Sequence, residues 1–413
     1  MTAGAPVPTA AVLVVGTELV YGLRPDTNGP DVARSVAAAG YTPSVIAALP
    51  DDRSVIAAHV RDATSAHDLV VVTGGLGPTH DDVTREAAAD ALGLPLRVEH
   101  DVASTLEGIA EGHREPGAAS QVLRQACVLE GARVLTPSTG TAPGQVVPTA
   151  RGHLVLLPGP PGEMRPMLAE SLAALVRREQ VPPRVIGCVD IRESDAQLRA
   201  ERALEGHRGV SLTVLGRPSL VDVVLIAHDL DTAALAAAAD EVASALAPHC
   251  YATDGASLAE VVVGGAAARG ITLGLAESCT GGLVAAALTD VPGSSATFRG
   301  AIVAYADEIK RSALRVSHDV LAAHGAVSEA CVREMATGAR EMLGADVAMA
   351  ITGIAGPGGG GPDKPVGLVW FAVADGSSVS AGSRAFDGDR SLVRERATVH
   401  ALDLLRLTVA PRA

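Results

Sequence analysis

Within AESCTGGLVAAALTDVPGSS, residues 276–295, Ser278 follows a short apolar run, Ile271 to Ala276, that reads as a buried strand, and it precedes two glycines, which is where a strand would turn into a helix. A hydroxyl on such a turn suits nucleophilic attack on a carbonyl. The amides near Thr280 and Gly281, with Gly282 opening the helix, are expected to face the oxyanion that develops. Serine is a poor nucleophile until a base takes its proton. A buried lysine can do that, relayed through a phenol or a second hydroxyl. Tyr305 and Lys310 in AIVAYADEIKR and Thr352 in MAITGIAGPGGGGP are the candidates. A Ser/Lys/Tyr set suits amide hydrolysis. The glycine run containing Gly356 and Gly358 either admits a substrate phosphate or is a surface loop. Cys279 is a rival nucleophile, and its alternative is packing.

A second group of candidates lies on TGGLGPTHDD, residues 73–82. Gly74, Gly75 and Gly77 remove side chains where a phosphate could approach backbone N–H groups. Asp81 and Asp82 could hold a hard divalent cation through oxygen, joined by Glu18 and Glu163 from two similar turns. The alternative is that Asp81 or Asp82 caps the following helix and the glycines only shape tight turns.

The elements that must position these residues repeat as strand, Gly-rich turn, helix. Ala10–Val15, Asp68–Thr73 and His153–Leu157 read as strands, followed by helical segments 29–39, 83–92 and 163–178. That alternation predicts a mainly parallel α/β sheet with its ligand edge at the strand carboxyl ends, where all three turns fall. A break at QVPPR, 180–184, opens a small α+β segment of strand, helix, two strands and an Ala-rich helix, reaching about 255. Its GHRG at 206–209 has the spacing of a KH loop, but it is expected to join a helix to a strand. A third α/β unit runs from helix 258–269 to helix 391–407.

Composition narrows the function classes. A formal charge of −14 argues against a nucleic-acid groove, and 2% aromatic residues leave few stacking platforms for bases. Small-molecule substrates are expected. No apolar run reaches the roughly 18 residues of a spanning helix, so no membrane partner is expected and a cytoplasmic location is. Five scattered cysteines without CxxC pairing read as reduced thiols.

Taken in order, GTEL around Glu18, DTN at 26–28, TGGLGPTHDD, GTAPG at 140–144, LLPGPPGEM at 156–164, AESCTGG, DVPGSS, ITGIAGPGGG and KPVG at 364–367 resemble the competence/damage-inducible protein A (CinA) family over nearly the whole chain. The resemblance implies a molybdopterin-binding-protein-like α/β domain over 1–178, acting as a metal-dependent ADP-ribose pyrophosphatase. It implies a KH-like α+β domain over 179–255, and an α/β domain over 256–413 that deamidates nicotinamide mononucleotide. It also implies a homodimer. Carried over, Ser278, Tyr305, Lys310 and Thr352 become catalytic, while Thr280, Gly281, Gly282, Gly356, Gly358 and Arg390 bind substrate. In the first domain Glu18, Asn28, Gly74, Gly75, Gly77 and Gly159 fall on nucleotide motifs. Asp81, Asp82 and Glu163 fall on the motif for a divalent ion, Mg2+, Mn2+ or Co2+.

The chain departs from the family pattern in places. The usual Tyr-Ser-Asn before the lysine is Tyr305-Ala306-Asp307. In the first domain an Asn-Arg-Lys-Gln-Ala segment appears as Val122-Leu123-Arg124-Gln125-Ala126, Pro137 stands near a usual Asn, and Leu23 stands for a Gln. Polar groups expected to meet nucleotide are thereby lost. A non-catalytic nucleotide- or pterin-binding role for that domain stays open beside the pyrophosphatase. A role for the whole chain in DNA uptake is disfavoured by its acidity.

Overall fold

The computed structural model describes residues 8–110, 118–176, 181–227 and 232–410. It divides into two compact units, Met1–Val181 and Pro182–Ala413. The division falls beside the Pro-rich break.

In the first unit Leu69–Thr73 (LVVVT) is buried along its whole length, because helices cover both faces of its sheet. Val70 and Val72 join Ile56, Val60 and Ala87 from helices Arg53–Ala66 and Thr84–Leu92 on one side. Leu69 and Val71 join Val32, Val36, Met164 and Leu168 from helices Asn28–Ala38 and Pro161–Ala173 on the other. A strand covered on both faces reads as a continuous apolar run rather than an alternation. The six strands run in the order Thr42–Leu49, Thr9–Val15, Leu69–Thr73, His153–Leu157, Gly144–Pro148, Arg133–Leu135. The first four are mutually parallel, and Gly144–Pro148 runs antiparallel to both of its neighbours. Register pairs Val14 with Thr73 and Thr73 with Leu157, so the three Gly-rich turns emerge together at one sheet edge. Gly74 has φ +102°, and a Cβ there would collide with the Val15 carbonyl, so this position is closed to other residues.

The second unit begins with a four-stranded sheet ordered Val210–Arg217, Leu220–Ala227, Arg184–Val189, Cys250–Ala252, all neighbours antiparallel. With helices Glu193–Ala203 and Thr232–Leu246 the chain order is βαββαβ. Strands Arg184–Val189 and Val210–Arg217 run parallel with Leu220–Ala227 between them, a split-βαβ, ferredoxin-like arrangement. This corrects the KH-like expectation. A KH loop needs two helices to clamp, whereas GHRG lies between helix Glu193–Ala203 and strand Val210–Arg217.

The remainder of this unit is a five-stranded sheet ordered Phe298–Val303, Leu273–Glu277, Val347–Gly353, Leu368–Ala374, Val379–Ala385, the first three mutually parallel and Leu368–Ala374 antiparallel to both of its neighbours. Helices Leu258–Ala268 and Arg390–Val409 cover one face. Helix Glu329–Leu343 covers the other, lying on an alanine surface made by Ala276, Ala348, Ala350, Ala372 and Ala374. Val189, Leu220 and Tyr251 of the split-βαβ segment pack against the first of these cores, so both parts share one compact unit. Among the described residues no helix is long and apolar enough to cross a membrane.

Candidate functional site

The strand expected over 271–276 forms at Leu273–Glu277 instead, and that shift decides the chemistry around Ser278. Strand alternation puts Glu277 on the same face as Leu273 and Leu275, beneath the start of helix Leu283–Thr289. Glu277 is fully buried there. Its Oε2 accepts from the Gly282 and Val284 amides at 2.9 and 3.3 Å, and its Oε1 accepts from Ala285 at 2.8 Å. The Gly281 amide donates to the Ser278 carbonyl at 3.1 Å. The Gly281 and Gly282 amides are therefore occupied from within. Thr280, Gly281 and Gly282 shape the turn and do not line the cavity at Ser278. Arg394 holds the same turn from the helix Arg390–Val409, donating to the Cys279 and Thr280 carbonyls at 3.1 and 2.9 Å.

Ser278 opens on a cavity of about 190 Å³ that also takes in Tyr305, Asp307, Lys310, Thr352 and Arg390. These residues come from four stretches of chain. The Ser278 amide donates to the Ile351 carbonyl, tying the turn to the strand that ends in Thr352. Lys310 faces inward from helix Asp307–Leu314 at 2% exposure. Its Nζ donates to the Tyr305 carbonyl at 3.2 Å and lies 3.6 Å from Asp307 Oδ1. Asp307, one of the departures noted in the sequence, thus supplies the ion-pair partner of the buried lysine. The Thr352 hydroxyl donates to the Ala326 carbonyl at 2.9 Å.

Arg390 is the first residue of its helix. Its Nη2 donates to the Tyr305 hydroxyl and its Nη1 to the Gly356 carbonyl, both at 2.8 Å. It therefore holds the phenol and the start of the glycine run at the cavity mouth. Gly358 lies in the exposed part of that run, away from the cavity lining. Cys279 lines the cavity, but burial pushes its thiol up to about 11. A thiol that is protonated at neutral pH is a weak rival to the serine.

In the first unit Asn28 is buried where the strand ends converge. Its Nδ2 donates to Thr73 Oγ1 at 3.1 Å and to the Gly159 carbonyl at 2.7 Å, while its Oδ1 is buried without a partner. Gly74, Gly75 and Gly159 lie on the turns it ties together, and Glu18 is exposed on the neighbouring one. A Cβ at Gly140 would collide with the Glu163 carboxyl, and burial raises that carboxyl above its ordinary range. The glutamate therefore sits against the GTAPG turn.

The expected metal trio is not assembled. Asp82 accepts from the Gly77 amide at 2.9 Å through one oxygen, and from the Thr79 amide and hydroxyl at 2.8 and 2.6 Å through the other. Asp81 accepts from the Thr79 hydroxyl. Asp82 is spent on closing its own loop, where Gly77 leaves room for it, and Asp81 stands exposed beside it on the same Thr79 hydroxyl. Among the described residues no three His, Cys, Asp or Glu side chains are grouped to hold a metal ion. Arg85, almost wholly buried behind this loop, donates to the Leu76 and Gly77 carbonyls.

Glu277, Arg394 and Arg85 are the contributors that sequence reading missed. The Leu-Gly-Leu-Ala-Glu alternation carried a signal for Glu277. Nothing local marked either arginine.

Comparison with known proteins matches residues 255–409 to a family described as the CinA C-terminal domain, and residues 11–178 to one described as a probable molybdopterin binding domain. A CinA-like protein of Akkermansia muciniphila is 40% identical over 395 residues, covering 94% of each chain. One from Thermosipho melanesiensis is 35% identical over 402 residues, covering 96% of this chain and 98% of that one. The crystal structure of a competence damage-inducible protein A from Klebsiella pneumoniae is 41% identical, with a TM-score of 0.37, covering 38% of this chain and 97% of that one.

Proposed function

Because this chain belongs to the CinA family of competence/damage-inducible proteins, we propose that its C-terminal domain is an amidohydrolase that converts nicotinamide mononucleotide and water to nicotinate mononucleotide and ammonia. The observation that carries this reading is the gathering of Ser278, Lys310, Tyr305, Thr352 and Arg390 around one cavity. Two basic side chains line it. A guanidinium does not serve as a base in proteins, and Arg390, held by Tyr305 and Gly356, suits a phosphate contact. The base is then Lys310, buried close to the serine turn.

In this mechanism Lys310 acts in its neutral form, and Ser278 Oγ attacks the carboxamide carbon as its proton passes to that amine. The tetrahedral intermediate collapses, the proton goes to the leaving nitrogen, and ammonia departs. Water, deprotonated by the same lysine, hydrolyses the acyl-serine and regenerates the hydroxyl. Stabilisation of the oxyanion falls to groups other than the Gly282, Val284 and Ala285 amides, which Glu277 already occupies. Ammonia release should vanish in Ser278→Ala and fall steeply in Lys310→Ala. Wild-type rates in both would end the proposal.

For the N-terminal unit we propose recognition of a dinucleotide pyrophosphate at the turns that Asn28 joins, with hydrolysis of ADP-ribose or a related dinucleotide as the activity to test. Asp81, Asp82 and Glu163 do not form a ready cation site, so no hydrolytic step is assigned to a metal. The engagement of Asp82 by its own loop favours the alternative, nucleotide or pterin binding without turnover. AMP formation from ADP-ribose with added Mg2+, Mn2+ or Co2+, abolished by EDTA, would establish the hydrolase. Saturable binding of ADP-ribose without AMP would establish the binding module. The family's homodimer is proposed for this chain as well, and sedimentation equilibrium would test it.

A further inference from the structure

Cys188, on strand Arg184–Val189, stands directly opposite Cys250, on strand Cys250–Ala252, in an antiparallel pair. Opposed residues on antiparallel strands have Cα atoms about 4.5–5.5 Å apart and side chains on the same face. That lies inside the window of about 4.4–6.8 Å that a disulfide requires. Both thiols are free, and the Cys250 Sγ donates to the Ala252 carbonyl at 3.6 Å.

Their environments differ. Cys188 is fully buried, and Cys250 is half-buried at the sheet edge. The contact with Cys188, helped by the Arg406 guanidinium, holds the Cys250 thiol below its ordinary value. The same contact and burial push Cys188 up. Cys279 and Cys331, by contrast, are each pushed up to about 11 by burial. An accessible, acidic thiol beside a protonated neighbour is the arrangement of an attacking and a resolving cysteine.

We propose that Cys188 and Cys250 are a peroxide-sensitive dithiol that closes to a disulfide within the split-βαβ segment. The Cys250 thiolate attacks one oxygen of a hydroperoxide, the O–O bond breaks, and the other oxygen leaves as water or an alcohol after taking a proton. The sulfur, now a sulfenic acid, has been oxidised by two electrons. The Cys188 sulfur then attacks it, the S–S bond forms, the S–O bond breaks, and the Cys188 proton leaves with the hydroxyl as water. A dithiol reductant reverses the change. The bond would clamp a three-residue edge strand whose pairing already carries a register irregularity. That strand leads, by residues 253–257, into helix Leu258–Ala268 of the C-terminal core. The proposal is independent of the deamidase reading.

The test uses the full-length protein, reduced, desalted and exposed to hydrogen peroxide, then denatured, alkylated and mapped by mass spectrometry. The expected result is loss of two alkylatable thiols, a linked pair of tryptic peptides carrying Cys188 and Cys250, and recovery of both thiols with dithiothreitol. Cys127, Cys279 and Cys331 should stay alkylatable. In Cys188→Ser the reaction should stop at a dimedone-trappable sulfenic acid on Cys250, and in Cys250→Ser the Cys188 thiol should persist. The proposal fails if all five thiols of the wild-type protein remain alkylatable, or if Cys250 passes to sulfinic acid without linking. It fails equally if another cysteine reacts first. The wild-type map decides even where a serine variant does not fold.

Discussion

Replacing Glu277 by glutamine tests whether the turn beneath Ser278 is held from inside. The carboxylate accepts three amide N–H groups at the start of helix Leu283–Thr289. In the glutamine variant the best orientation leaves the carbonyl oxygen toward Gly282 and Val284, and puts an NH2 group where Ala285 donates. One charge-assisted hydrogen bond, worth about 1.5–3 kcal/mol, is lost, and two others fall to the neutral value of about 1 kcal/mol. Relief from burying a charge offsets part of this, which leaves a destabilisation of about 2–4 kcal/mol.

The assay follows from composition. Trp370 is the single tryptophan, and it lies on strand Leu368–Ala374 of the same sheet as Glu277. Its fluorescence therefore reports unfolding of this domain without interference from the first unit. With a urea m-value of about 2 kcal/mol/M, the midpoint should fall by about 1–2 M. Activity should fall as well under conditions where the variant remains folded, because the next residue is Ser278. A midpoint shift below about 0.25 M would refute the reasoning, since it would mean that the three amides find other partners at no cost.

Three further outcomes follow from particular contacts. Arg390→Lys keeps the charge but cannot hold both the Tyr305 hydroxyl and the Gly356 carbonyl, so KM for nicotinamide mononucleotide should rise about 10- to 100-fold with kcat less affected. An unchanged KM would remove Arg390 from the phosphate site. Burial, with Arg384 beside it, lowers His400 below its ordinary value of 6.5, so on acidification the unfolded chain takes the proton first. Stability of the Trp370 transition should therefore be intact above that value and fall as pH drops through it, until the lower folded value is passed. His400→Gln should flatten the decline between about pH 7 and 5, and identical declines would sink the assignment. Gly74→Ala places a methyl against the Val15 carbonyl at φ +102°, which should cost more than about 1 kcal/mol and speed hydrogen exchange in strand Leu69–Thr73. Gly93→Ala, also at positive φ but with open space around it, is the control expected to cost less.

Much of the architecture was legible because its signals are local. A run such as LVVVT followed by GGLGP states that a strand is buried on both faces and that its turn needs residues without a Cβ, whatever lies around it. The same logic placed Ser278 at a strand-to-helix turn, and the ordered motifs identified the family over nearly the full chain. The GHRG loop was also rightly read as joining a helix to a strand. That reading did not extend to the sheet, because strand order depends on which strands pair across long separations, and so the split-βαβ arrangement emerged only in three dimensions.

The sequence by itself determined the residue types that can do chemistry, the strand-turn-helix grammar that carries them, and the family. Tertiary structure decided which polar groups are already spent. Glu277 and the Ser278 carbonyl take up amides that local logic left open to an oxyanion, and Asp82 serves its own loop. Lys310 and Arg390 reach the serine's cavity from distant stretches of chain, and Cys250 meets Cys188 across a sheet. A hydrogen bond or an ion pair is a property of two groups and the space between them, and one-dimensional spacing records only the groups.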